Sequence, residues 1–186
     1  VFTHVALIGL MASGKSAVGA VLAERLGVPL VDVDEAIQAR VGKDVRQLWL
    51  EGGEAAYRPL ERAVVVDALA GPGCVLAAPG GIAVDEGAAA AIGQPQVAVV
   101  YLQGDPRVLA ERVRLDTQPR PLLGADPEAA LAEQHRDRDD RYLALADRVE
   151  SIDDRTPDEV AARILDAFDG FPGVGGGIGS AEAGQA

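Results

Sequence analysis

Residues Gly9-Leu10-Met11-Ala12-Ser13-Gly14-Lys15-Ser16 match G-x-x-x-x-G-K-[ST], directly after the apolar run His4–Ile8 and directly before the helical run Ala17–Leu26. A strand, a tight turn and a helix must therefore follow one another without a spacer. A dense anion such as a triphosphate needs backbone N–H groups turned inward, glycines that let the chain come close, and the positive end of a helix dipole. This stretch supplies all three. Lys15 is placed to reach β- and γ-phosphates as a point charge, and Ser16 to complete the coordination of Mg²⁺. The nucleotide-binding candidates are Ala12, Ser13, Gly14, Lys15, Ser16 and Ala17.

Beyond the loop, short β-branched apolar runs alternate with longer Ala- and Leu-rich stretches of helical period, the pattern of βα units around a parallel sheet. The fold class is α/β. Strands are predicted at His4–Gly9, Pro29–Val33, Cys74–Ala78, Val97–Leu102 and, more weakly, Arg148–Ile152. Helices are predicted to start near Gly14, Asp34, Asp44, Glu54, Val84, Asp105, Pro127 and Pro157. Arg114–Asp126, with Pro119 and Pro121, reads as a loop. The tail Gly170–Ala186, with seven glycines in seventeen residues, reads as disordered and outside the domain. One domain is expected over 1–168, with 169–186 as the Gly-rich tail.

Composition narrows the partners. A chain of 186 residues, 48% hydrophobic and 25% charged, suits one globular domain. Its net charge of -12 has the wrong sign for gripping nucleic acid through phosphates. One cysteine, Cys74, forms no internal disulfide and reads as core. No stretch reaches the roughly 18 apolar residues of a membrane span. A soluble, uncleaved, cytoplasmic monomer is expected, with no nucleic-acid or membrane partner. His4 and His135 lack ligand spacing and give no metal reading.

A second site is expected beyond the carboxyl ends of the strands, where ligands bind in open parallel sheets. Strand alternation would set Asp32 and Asp34 on one face, one for metal-bound water and the other for an acceptor hydroxyl. The plainer role for Asp34 is to cap the next helix. Arg58, four residues after Glu54 and three before Glu61, reads by itself as a surface ion pair. Pro79-Gly80-Gly81 follows the third strand, where glycines permit close approach to a ligand or simply make a turn. Arg120 lies between two prolines and Arg138 in a charged run; each alone reads as solvated surface.

Taken in order, these pieces resemble the shikimate kinases, small members of the nucleoside-monophosphate-kinase superfamily of P-loop folds. The resemblance spans about Val5 to Leu165 and is carried by Gly9–Ser16, Val-Asp-Val-Asp at 31–34, Gly-Glu-x-x-Tyr-Arg at 53–58, and Gly80-Gly81. Arg-Pro-Leu-Leu at 120–123, Arg138 four residues before Tyr142, and Asp-Arg-Thr-Pro at 154–157 complete it. It implies a three-layer α/β/α fold on a five-stranded parallel sheet, a substrate-binding helical region near 34–61 and a lid near 114–126.

It also implies an activity, phosphorylation of the 3-hydroxyl of shikimate by ATP with Mg²⁺. By that resemblance Lys15 and Ser16 serve ATP and Mg²⁺, Asp32 holds the metal through water, and Asp34 binds the acceptor hydroxyl and assists its deprotonation. Arg58 and Arg138 clamp the substrate carboxylate, the Gly80 and Gly81 backbone meets the substrate, Arg120 comes down from the lid onto the phosphates, and Arg155 lies near adenine, with Arg114 a second candidate there. Catalysis would then rest on Lys15, Asp34 and Arg120.

Three positions depart from the family pattern. Ala12 and Pro79 stand where glycines are usual, and Ala12 is expected to keep φ negative. Pro79 removes an N–H from the turn. Tyr57 replaces the usual phenylalanine and adds a hydroxyl. A kinase for another cyclitol or sugar acid, and a non-catalytic nucleotide switch, are the alternatives left by the sequence.

Overall fold

A computed structural model of the chain describes residues 2–116 and 123–168. Five parallel strands form its centre: β1 (His4–Ile8), β2 (Leu30–Asp32), β3 (Val75–Ala77), β4 (Val97–Gln103) and β5 (Arg148–Ser151). They lie in the order β2-β3-β1-β4-β5. All five predicted strands form, each within one residue of its expected ends. β1 is buried along its whole length and β4 over its first six residues. That is why both read as unbroken apolar runs instead of alternating ones: helices cover both faces of the sheet.

Those helices are α1 (Lys15–Leu26), α2 (Val33–Val41), α3 (Val45–Ala70), α4 (Glu86–Ile92), α5 (Pro106–Leu115), α6 (Pro127–Leu145) and α7 (Pro157–Ala167). α1 packs against α7, α5 against α6, and both α2 and α4 against α3, giving three layers. Many of the acidic residues that make the chain so negative have local work at helix starts. Asp44, Asp85, Asp105 and Asp126 accept backbone N–H groups at the starts of α3, α4, α5 and α6, and Thr156 closes a capping box with Glu159 on α7.

The two helices predicted from Asp44 and Glu54 run together as α3, interrupted by Gly53 at φ 59°, ψ -156°. Only glycine adopts that combination at low cost, so Gly53 is where the helix axis breaks. Every fully buried residue of α3, namely Tyr57, Glu61, Val64 and Val65, lies after the break.

Cys74 is buried, and burial pushes its thiol up to about 11, which suits a core residue. Among the described residues no helix is long and apolar enough to cross a membrane. Residues 117–122 of the expected lid, Arg120 among them, and the tail from 169 lie outside the described residues.

At the edge strand, Glu150 is 1% exposed and accepts from Arg148 Nε at 2.7 Å and Arg163 Nε at 2.8 Å. Burial works to raise its carboxyl, but donation from Arg163 and Arg148 outweighs it and holds the group below the usual range. Replacing Glu150→Ala should cost about 1–3 kcal/mol at pH 7 in urea melts. Because the folded pKa is lowered, this stability is present above the unfolded value near ~4.3 and is lost as pH falls through the folded one. The gap between variant and parent should therefore close below about pH 4.

Candidate active site

β1 ends between β3 and β4, and the loop after it turns at once toward α1. A Cβ at Gly9 would sit 2.6 Å from the Leu102 carbonyl oxygen, so the first glycine of the motif is required by the neighbouring strand. Ala12 does not keep the negative φ expected of it. Its φ is 63°, in the left-handed region, within the turn in which Ser13 N–H donates to the Leu10 carbonyl at 3.3 Å. The loop's closure imposes the conformation, and alanine adopts it under strain. Gly14 carries φ 84° at the helix entry.

Lys15 Nζ donates to the carbonyls of Gly9 at 3.1 Å and Leu10 at 2.7 Å and to Ser13 Oγ at 3.3 Å. The ammonium is thus folded back over its own loop. Ser16 Oγ donates to Asp32 Oδ2 at 2.5 Å, joining the loop to the end of β2.

The strand ends at Asp32, one residue earlier than expected, and this corrects the reading of the two carboxylates. Asp32 is the helix cap: its Oδ1 accepts from Asp34 N at 3.1 Å and Glu35 N at 3.4 Å. Asp34 lies in the first turn of α2, not on the strand, so strand alternation does not set its direction. What the structure gives Asp34 is a bond from Tyr57 Oη to its Oδ1 at 2.5 Å. Tyr57 is 2% exposed. Burial first, and the charge of Asp34 second, push its hydroxyl far above the ordinary tyrosine value, so it remains a proton donor.

The Arg58 ion pairs form as the spacing predicts, but the one with Glu61 is buried. Arg58 reaches Glu54 Oε1 from Nη2 at 2.6 Å and Glu61 Oε2 from Nη1 at 2.7 Å, with its side chain 15% exposed and that of Glu61 fully buried. Its guanidinium also lies 5.9 Å from the Trp49 ring centre and 5.8 Å from that of Tyr57. Burial raises the Glu61 carboxyl to about 7 despite Arg58, and its Oε1 has no hydrogen-bond partner. A side chain at Gly81 would run into the Arg58 guanidinium. That glycine keeps room for the arginine, a role its place after a strand could not reveal.

Gly80 joins the remaining parts. A Cβ there would lie 3.5 Å from the Gly9 carbonyl and from Met11 N, so this turn abuts the phosphate loop. The Gly80 carbonyl accepts from Arg138 Nη1 at 3.1 Å and from the Tyr142 hydroxyl. Arg138 is therefore directed inward from α6, not solvated. Tyr142, to which sequence reasoning assigned no role, is fully buried against Tyr101. Arg155 holds the Ser151 carbonyl at 2.8 Å just past β5, and Arg114 lies 3.5 Å from Glu128.

Loop, Asp32, Asp34, Tyr57, Arg58, Gly80-Gly81 and Arg138 thus form one connected set at the carboxyl edge of the sheet. The model of the shikimate kinase family matches residues 11–169. The shikimate kinase of Thermobifida fusca is 44% identical over 158 residues, covering 85% of this chain and 90% of that one. The chain belongs to the shikimate kinase family. The shikimate kinase of Acinetobacter baumannii, solved in complex with shikimate, superposes with a TM-score of 0.84 at 28% identity, over 90% of this chain and 93% of that one. A gluconokinase from Sinorhizobium meliloti, at 18% identity and a TM-score of 0.57 over 88% of this chain and 94% of that one, shares the fold alone.

Among shikimate kinases this member carries a strained alanine in its phosphate loop. Replacing Ala12→Gly should remove about 1 kcal/mol of left-handed strain and return about half of it through the more flexible unfolded chain. A rise of about 1–3 °C in the thermal midpoint by calorimetry is expected; a fall would mean that φ at 12 costs nothing.

Proposed function

We propose that this chain transfers the γ-phosphoryl group of ATP to the 3-hydroxyl of shikimate, and that the connected set at the carboxyl edge is where it does so. One observation carries the reading: Arg58 and Arg138 flank a glycine turn that touches the phosphate loop, and Asp34 is tied to Tyr57, the neighbour of Arg58. A non-catalytic nucleotide switch has no use for that second half.

The loop backbone and Lys15 bind the triphosphate, Lys15 trading its carbonyl partners for β- and γ-phosphate oxygens. Ser16 Oγ and Asp32 Oδ2 are adjacent hard oxygen donors. They fit Mg²⁺, which takes one or two protein oxygens and completes its shell with phosphate and water. Among the described residues no group of three or more His, Cys, Asp and Glu offers another kind of metal site. The ion, when bound, neutralises charge on the phosphates.

Arg58 and Arg138 take the acceptor carboxylate, for which a planar fork of donors is the matching shape. Asp34 holds the acceptor hydroxyl and receives its proton. The acceptor oxygen bonds to the γ-phosphorus, the bond to the bridging oxygen breaks, and ADP leaves. Arg120, beyond the described residues, is assigned to the phosphates and Arg155 to the adenine side. Gly80 and Gly81 present backbone to the ring. Little covalent help is required; positioning and charge do most of the work.

The deciding assay follows ADP release with Mg²⁺ and ATP against shikimate, quinate, gluconate and AMP, compared by kcat/KM. Preference for shikimate is expected, and turnover of another ring in its place would move the assignment to that acceptor. Asp34→Asn should lower kcat about 100-fold or more with the circular dichroism spectrum retained. Arg58→Lys keeps a cation for Glu61 but loses the fork. It should raise the shikimate KM about tenfold while leaving the KM for ATP within twofold; equal changes in both would remove Arg58 from the carboxylate clamp.

A further inference from the structure

This inference rests on the reading of Asp34 as the residue that holds the acceptor hydroxyl. Nothing in the chain's local pattern joins Tyr57 to Asp34, which lies 23 residues away on another helix, yet the Tyr57 hydroxyl donates to Asp34 Oδ1 at 2.5 Å. The tyrosine ring has little freedom. It is 2% exposed, and it packs against Trp49 with ring centres 5.2 Å apart and planes tilted by 32°. Arg58, the next residue, is itself fixed by Glu54 and Glu61. The donor is therefore anchored in the part of α3 that is buried, while the acceptor sits on the first turn of α2. The two oxygens of a carboxylate are rigidly joined through Cγ, so holding Oδ1 also fixes the direction of Oδ2. A phenylalanine would fill the same space and leave that direction unset.

We propose that Tyr57 is a positioning residue for phosphoryl transfer: its hydroxyl holds Asp34 Oδ1 so that Oδ2 is presented to the acceptor hydroxyl. Substrate then meets a carboxylate whose orientation is settled before binding, and less ordering is left to the encounter. Tyr57→Phe removes the hydroxyl and keeps the ring, so a loss of kcat in that variant reports the bond to Asp34.

The test compares the parent, Tyr57→Phe, Asp34→Asn and the double variant. Steady-state kinetics give kcat and the KM for shikimate separately, and fluorescence of Trp49, the single tryptophan, monitors the site. For Tyr57→Phe the expected result is a kcat about 5–20-fold lower with a shikimate KM within about threefold of the parent. In the Asp34→Asn background the same change should add less than about twofold, because the hydroxyl acts through the carboxylate that is already gone. A kcat unchanged in Tyr57→Phe, with Asp34→Asn strongly impaired, would overturn the role of Tyr57 and leave that of Asp34 standing. Equal losses in both backgrounds would make Tyr57 a packing residue only. Near-parent turnover in Asp34→Asn would remove the underlying reading, and this inference with it.

Discussion

A parallel sheet covered on both faces has no place for a functional polar group except at its edges, and this chain places its own at the carboxyl edge. β1 enters the middle of the sheet, with β3 on one side and β4 on the other, and the phosphate loop emerges between them. From that position the loop touches the end of β2 through Ser16 and Asp32, the turn after β3 through Gly80, and the end of β4 through Gly9. The phosphate loop, the end of β2 and the turn after β3 are therefore held in relation to one another at the strand ends. Long flexible side chains then act from a frame that is already set.

On the acceptor side, the chain tolerates an unfavourable arrangement to keep an arginine in place. Arg58 is packed between two aromatic rings, two carboxylates and a glycine that leaves it room. Glu61 is fully buried, with a carboxyl raised to about 7 and one oxygen without a partner. A buried pair of this kind contributes little net stability, since desolvation offsets most of the attraction. Its effect is orientation: the guanidinium is fixed toward the Gly80-Gly81 turn.

The strands and the phosphate loop were legible because their signals are local. An apolar run, a glycine spacing and a Lys-Ser pair each lie within a few residues, and all five strands appear within one residue of where the pattern sets them. Asp34 was misplaced because the cap is decided by a single residue: Asp32 takes the N–H groups of 34 and 35, the strand stops there, and alternation no longer applies. The burial of Arg58, the inward direction of Arg138 and the bond from Tyr57 to Asp34 are all long-range. Spacing on one helix cannot report which other helix lies above it. Ala12 failed for a different reason, since loop closure overrides the preference of the residue that happens to stand at the turn.

The break at Gly53 divides α3 into halves of unequal attachment. The later half carries Tyr57, Arg58 and Glu61 and cannot shift without exposing buried atoms or unpairing a buried charge. The earlier half, with Trp49, contributes no fully buried side chain, and Lys43 to Glu51 beside it is an exposed ion pair. Val45, Leu48 and Trp49 of the earlier half pack against the core while only partly buried, so separating that half costs less than separating the later one, and its amides should exchange with solvent first. The acceptor side thus has one rigid wall and one yielding wall, made from a single helix by one residue without a side chain.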